Sequence, residues 1–213
     1  MKLVYMGLFV WLTLVTAVSA EEFRISRFST EGLTGWETKV FKDKTNYTLL
    51  QENGATVVKA QSRASASALY KKVALDPLHY RYLRWSWKVA GIISKGQEKS
   101  KAGDDFAARV YVVFPGRFFW QSRAINYIWA NHLPVGSSFP SPFTRNAMML
   151  AVESGPDNVG QWISEERDIL RDYRHLFGED PHEIGAIAFM TDTDNTGEEA
   201  TAWYGELSIL IEK

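Results

Sequence analysis

Alternation of apolar and polar side chains constrains this chain most, and it is clearest between Tyr82 and Val89. Successive side chains of a β-strand point to opposite faces, so strict alternation predicts a strand with one buried face and one solvent-exposed face. The odd positions are all apolar, namely Leu83, Trp85, Trp87 and Val89. The even positions are Tyr82, Arg84, Ser86 and Lys88. The stretch therefore predicts a half-buried β-strand.

Further short apolar stretches bounded by turn residues bring the predicted total to about ten strands. The stronger ones are Ala64–Val73, Phe106–Phe114, Ile125–Ala130, Ala147–Glu153, Ile184–Thr191 and Ala202–Ile211. The weaker ones are Phe23–Phe28, Trp36–Phe41, Tyr47–Gln51 and Thr56–Ala60. Between Leu133 and Phe143, three prolines and Gly136 predict a long rigid loop.

One helix is predicted near residues 164–177, because apolar residues recur there at helical spacing. Gly178 suits the left-handed position that ends a helix, and Pro181 follows shortly after. A chain with many strands and one helix predicts an all-β fold. We expect a single-domain antiparallel β-sandwich of jelly-roll type.

The first twenty residues are typical of a secretory signal peptide. Lys2 gives the positive start, and the apolar run that follows ends in the small-residue cleavage pattern Val18-Ser19-Ala20. A membrane anchor is the alternative, but Glu21-Glu22 follow directly, without a basic stop-transfer cluster. We therefore expect cleavage that leaves no membrane span. Residues 21–213 would then form a single β-sandwich domain, periplasmic or secreted.

The composition excludes several classes of protein. The 213 residues contain no cysteine, which excludes a disulfide scaffold and a Cys-ligated zinc module. Lys and Arg number 24 against 25 Asp and Glu, so the chain lacks the basic excess of a nucleic-acid-binding protein. A hydrophobic fraction of 46% argues against a disordered chain. An export signal without cysteine is typical of a bacterial periplasmic or secreted protein.

Several short sequence motifs of the chain occur in a distinctive combination. They are Trp85-Ser86-Trp87, Asp104–Tyr111, Ile125–Ala130, Arg167-Asp168 with Asp172-Tyr173, Phe177-Gly178 and Thr191–Gly197. Together they resemble an uncharacterised family of exported bacterial proteins, a domain-of-unknown-function family. This resemblance covers most of the mature chain and implies no particular activity. The closing strand is also similar to the last strand of galactose-binding-like jelly rolls, a likeness of fold alone.

Asp104, Asp105 and Arg109 form the most polar cluster at the start of a strong strand. Asp105, Arg109 and Tyr111 share one strand face by parity. A carboxylate and a guanidinium on one face can clamp a sugar hydroxyl or an anionic substrate, so these residues are candidate ligand contacts. The alternative is a structural ion pair that stabilises the start of the strand.

The turn Asp192–Gly197 has oxygen-bearing side chains at alternate positions, as calcium loops do. It departs from the EF-hand pattern, because the twelfth position from Asp192 is Trp203 where that pattern has Glu. Tight turns also favour Asp, Asn, Thr and Gly. We expect a turn and no cofactor or metal, with calcium binding and ligand contact through Asp192 and Asp194 as alternatives.

Trp85, Trp87, Trp129 and Trp203 fall on the apolar parity of their strands, which predicts core packing for most of them. Stacking against a sugar ring is the alternative. Asn126 is polar in a strand otherwise made of Ile, Tyr and Trp. A buried amide there needs a backbone or ligand partner. Asn126 and Trp129 therefore join the candidate ligand-binding residues.

The chain shows no nucleophile elbow, P-loop or dinucleotide-binding fingerprint. We therefore expect a non-catalytic protein that binds carbohydrate or another cell-envelope ligand. One alternative is a polysaccharide-active hydrolase or lyase that uses the Asp and Arg residues above. Another is a structural or interaction protein of the envelope, for which the aromatic run Phe118-Phe119-Trp120 would provide a contact patch.

Overall fold

The computed structural model describes residues 21–211, which form two seven-stranded sheets and two α-helices. The predicted signal peptide at residues 1–20 lies outside the described residues. Neither helix of residues 21–211 combines the length and the apolar character needed to cross a membrane.

The first sheet is built around a long central strand. Its strands are β1 (Glu22–Arg24), β3 (Asn46–Glu52), β4 (Ala55–Arg63), β6 (Tyr80–Val89), β11 (Ile163–Asp168), β13 (Glu199–Tyr204) and β14 (Ser208–Ile211). They follow the order β1-β14-β6-β13-β4-β3, and β11 also pairs with β6. The first and last strands of the described chain, β1 and β14, are antiparallel neighbours in this sheet.

The second sheet has the order β2-β5-β12-β7-β8-β10-β9. Its strands are β2 (Glu37–Lys42), β5 (Ala66–Leu75), β7 (Arg109–Phe114), β8 (Arg123–Ala130), β9 (Ser138–Pro140), β10 (Ala147–Ser154) and β12 (Ile184–Asp192). The pair β8–β10 is parallel, so the prediction of an antiparallel sandwich is wrong for this pair. The reason is the long proline-containing segment between these strands, which carries the chain back to the end where β8 began.

Large side chains from the facing sides of the two sheets pack into a common core. Trp87 of β6 lies in this core with Trp129 of β8, their ring centroids 5.9 Å apart. The odd positions of β6 from Leu83 to Val89 are all buried, as the alternation predicts. The all-β sandwich of jelly-roll type is confirmed. Trp203 is an exception to the predicted core set. It lies on the outer face beside Lys88, because its neighbours Ala202 and Tyr204 occupy the buried face.

The helices are α1 (Phe28–Glu31) and α2 (Ile169–Phe177). The predicted helix near residues 164–177 therefore starts too early, since residues 164–168 belong to β11. The helix begins where the Asp168 side chain accepts a hydrogen bond from the backbone N–H of Arg171, and it ends at the left-handed Gly178. Every predicted strand overlaps an observed one, whereas β9 and β11 were not predicted and Ala202–Ile211 divides into β13 and β14.

Candidate functional site

The outward face of the second sheet carries a cavity of about 400 Å³. Five adjacent strands, β5, β12, β7, β8 and β10, contribute side chains to its floor. These side chains are Ala66, Met190, Tyr111, Asn126 and Met149, in strand order. They alternate along their strands with the core-facing residues, so the cavity lies on the opposite side of the sheet from the core.

The rim of the cavity is aromatic. Phe41, in β2, and Phe143, in the segment before β10, line it and are 63% and 56% exposed. Most of the cavity lining is apolar, so a ligand there would be held by contact with hydrocarbon surface as well as by hydrogen bonds.

Asn126 lies in the floor between Tyr111 of β7 and Met149 of β10, directly opposite both in the strand register. Its side chain is 1% exposed, and neither Nδ2 nor Oδ1 finds a hydrogen-bond partner within residues 21–211. The Tyr111 hydroxyl is directed instead to the Met190 sulfur, 3.3 Å away. A buried amide without partners is uncommon in folded proteins, so the Asn126 amide is free to form hydrogen bonds with a group that enters the cavity.

Arg109 and Asp192 form a buried ion pair at the acidic end of the cavity. The Arg109 Nε donates to Asp192 Oδ1 at 2.8 Å, and its NH2 nitrogen donates to Oδ2. The same NH2 nitrogen donates to the backbone oxygen of Asp104 at 2.5 Å. Burial raises the pKa of Asp192 to about 7, against the opposing effect of the guanidinium. Arg109 is therefore already occupied and has little capacity left to bind an anionic substrate.

Asp104 is buried at the same end, yet its carboxylate is poorly satisfied. Its Oδ1 has no partner among the described residues, and Oδ2 lies 3.8 Å from the NH1 nitrogen of Arg109. Burial raises the pKa of Asp104 to about 6, since the nearby guanidinium only partly offsets the desolvation. The carboxylates of Asp105 and Asp194 act in the same direction as burial.

Asp105 has a structural role beneath the cavity. It is fully buried and accepts hydrogen bonds from the backbone N–H groups of Asn195 and Thr196, at 3.2 and 2.6 Å. These bonds fix the turn Asp192–Gly197, whose Asp194 lines the cavity. Asp105 therefore positions the site without lining it.

Carboxylate oxygens of Asp105, Asp192 and Asp194 lie within 4.8 Å of one another. Both oxygens of Asp105 accept N–H groups, and both oxygens of Asp192 are bonded to Arg109. Calcium requires six or more oxygen ligands. This donor set therefore fits calcium poorly.

Of the predicted ligand-binding residues, Asp104, Arg109, Asn126, Asp192 and Asp194 line the cavity. Trp129 does not join them. It is buried in the core between the sheets, where its Nε1 donates to the backbone oxygen of Gly155 at 3.1 Å.

The prediction missed the apolar part of the site. Tyr111 shares its parity with Arg109, so the sequence contained a signal for it. Met149 and Phe143 enter through the parallel pairing of β10 with β8, and no local pattern indicates that pairing.

A search of curated proteins finds no match to this sequence. A family model described as a protein of unknown function (DUF3047) matches residues 34–208. That span covers most of the chain.

Solved structures of similar fold share little sequence with the chain. The enzymatically active domain of bacteriophage CBA120 tailspike protein 4 is 12% identical, with a TM-score of 0.44, over 86% of this chain and 20% of that one. A carbohydrate-binding module of the β-sandwich superfamily is 11% identical, with a TM-score of 0.47, over 89% and 62% of the two chains. The xyloglucanase domain of NopAA from Sinorhizobium fredii is 10% identical, with a TM-score of 0.48, over 92% and 100%. This chain thus spans about a fifth of the first protein and under two thirds of the second.

Proposed function

The chain belongs to the DUF3047 family of proteins of unknown function, and we propose that it binds a carbohydrate in the cavity on the outward face of the second sheet. The observation that carries this proposal is the unpartnered amide of Asn126 on the cavity floor. An amide offers a donor and an acceptor side by side. Neighbouring hydroxyl groups of a sugar can satisfy both, because each hydroxyl donates one hydrogen bond and accepts others.

The apolar side chains that line the cavity suit the nonpolar faces of a sugar ring. A sugar ring has C–H faces that pack against aromatic and apolar side chains. Tyr111 and Met149 flank Asn126, and Phe41 and Phe143 provide aromatic surface at the rim. The volume of about 400 Å³ falls in the range of small-molecule sites. The cavity therefore accommodates one end of a glycan, with the rest extending past the rim.

The proposal is for binding without catalysis, because two of the four acidic side chains are held by the protein itself. Arg109 binds Asp192, and backbone N–H groups bind Asp105. A glycosidase needs two carboxyl groups with separate roles on either side of the scissile bond. Asp104 and Asp194 remain, and both line the cavity, near enough to each other that the charge of Asp194 raises the pKa of Asp104.

A polysaccharide-cleaving enzyme is the second candidate, and one observation favours it. Burial raises the pKa of Asp104 to about 6, which is in the range of a catalytic general acid. Incubation with envelope polysaccharides, followed by an assay for new reducing ends or unsaturated products, tests this candidate. If the wild type cleaves a polysaccharide and Asp104→Asn does not, the protein is an enzyme and the proposal of binding without catalysis is wrong.

The proposed compartment is the periplasm or the exterior of the cell, from the signal-like residues 1–20, and the proposed ligand is therefore an envelope glycan. Fractionation of cells that produce the full chain tests the compartment. Recovery of uncleaved protein in the cytoplasmic fraction would contradict it.

Calorimetric titration with neutral sugars, amino sugars and their oligomers tests the binding. We expect saturable binding that is lost in Asn126→Leu. The matched control is Asn46→Leu, at an exposed position on the first sheet, which should bind as the wild type does. If no sugar binds, or if Asn126→Leu binds normally, the proposal is wrong.

A further inference from the structure

Acidic side chains outnumber basic ones around the cavity. Asp104, Asp192 and Asp194 line it, whereas Arg109 is the one cation among the described lining residues. Asp105 lies directly beneath, and Lys42 approaches from the rim, with its Nζ 3.1 Å from the backbone oxygen of Asp194. The described residues around the cavity therefore carry more negative than positive charge.

The imbalance is concentrated at Asp104. Arg109 makes its two close contacts with the Asp192 carboxylate, and its approach to Asp104 Oδ2 is 3.8 Å. The other oxygen, Oδ1, has no partner among the described residues, although Asp104 is only 4% exposed. A buried carboxylate in this state is costly unless it is protonated or meets a cation. Asp194, half-buried on the same lining, adds negative charge nearby.

We propose that the bound sugar carries a free amino group, whose ammonium pairs with Asp104 at the acidic end while its hydroxyls meet Asn126. This inference rests on the proposed function and names the class of sugar. A protonated amine brings both the positive charge and the N–H donor that Asp104 Oδ1 lacks. An acetylated amine has lost that charge, and a plain hydroxyl never carries it.

The same arrangement disfavours acidic sugars. A uronic acid would bring a further carboxylate to Asp104, Asp192 and Asp194, while Arg109 is already bonded to Asp192. Like charges in a buried site repel strongly, because the local dielectric is low. The sequence-based alternative of an anionic substrate clamped by Arg109 is therefore not supported by the geometry.

Three β-linked oligosaccharides of equal length, built from glucosamine, N-acetylglucosamine or glucose, test the inference in the full chain. They differ only in the substituent at one ring carbon. At neutral pH we expect the glucosamine oligomer to bind about tenfold or more tightly than the glucose oligomer. Asp104→Asn should remove this preference, so that the glucosamine and glucose oligomers bind with the same affinity. Asn126→Leu should abolish binding of all three.

Circular dichroism of each variant verifies folding, and Asp194→Asn provides a second variant at a less buried position, for which a smaller loss of preference is expected. Equal or tighter binding of the glucose or N-acetylglucosamine oligomer by the wild type would overturn the inference and leave the proposed function standing. If none of the three binds, the proposed function fails, and the inference fails with it.

Discussion

Arg109 holds both carboxylate oxygens of Asp192, on the neighbouring strand β12, through its Nε and NH2 nitrogens. Both side chains are almost completely buried. Such a pair contributes little net stability when intact, because both charges have been removed from water, but breaking it leaves a buried charge without a partner. The pair therefore matters most when one member is removed.

We expect Asp192→Asn to lower the free energy of unfolding by about 3–5 kcal/mol, since Arg109 keeps its charge in every condition of interest. Urea denaturation measures the change. Glu199→Gln is the control, because the Arg63–Glu199 pair is exposed and should contribute less than about 1 kcal/mol. Equal effects of the two substitutions would contradict the structural role assigned to the buried pair.

Asn126 is expected to reduce the stability of the ligand-free protein. Asn126→Leu removes two unsatisfied polar atoms at similar volume, so we expect the free energy of unfolding to rise by about 1–3 kcal/mol. Asn131, directly after β8, is the matched control because it is an equally buried amide. Its amide donates to the backbone oxygen of Asp105 and accepts from the backbone N–H of Ile93, so Asn131→Leu should destabilise. A loss of stability in Asn126→Leu would show that this amide supports the fold.

Asp104 makes the free energy of unfolding depend on pH, and the direction of its pKa shift fixes the sign of that dependence. Its pKa is raised from 3.8 to about 6, mainly by burial, so the folded state holds the proton more tightly than the unfolded state. Its contribution to stability therefore falls as the pH rises from about 4 to 6. Relative to the wild type, Asp104→Asn should gain on the order of 3 kcal/mol between these limits. Urea denaturation of both proteins at several pH values measures this difference, and a constant difference would contradict it.

Calcium should not stabilise the protein. The oxygens of Asp105 and Asp192 already accept hydrogen bonds, so an ion would have to displace them. A ligand at a hundred times its dissociation constant stabilises a folded protein by about 2.7 kcal/mol, which a thermal melt detects easily. We expect the same melting temperature with millimolar calcium and with EDTA. A rise with calcium that is lost in Asp194→Asn would place an ion at this turn.

The strands were predictable because their signal is local. The alternation of β6 alone places Trp85 and Trp87 in the core, where the structure has them. The start of α2 was not predictable from charge, because Glu165 and Arg167 suit a solvated helix and an edge strand equally well. Pairing with β6 decides between them, and that pairing involves residues about eighty positions away.

The alternation of side chains along a strand predicts some residues of the candidate site and misses others. Arg109 and Tyr111 were placed on one face correctly, since they are two residues apart on a strand. Trp129 and Asn126 are three apart, so they must point to opposite faces, and only Asn126 can reach the cavity. Alternation could not predict that Met149 of β10 lines the cavity, because its position depends on the parallel pairing of β10 with β8 across a long connection.

The pairing of β1 with β14 affects how the molecule is assembled during synthesis. The two edges that meet there lie at opposite ends of the described chain, so the first sheet cannot be completed until the final strand has emerged. Contacts between residues so far apart also slow folding, because a long loop must close before they form. An emerging chain is thus left incompletely folded for longer, with unpaired strand edges that are vulnerable to aggregation.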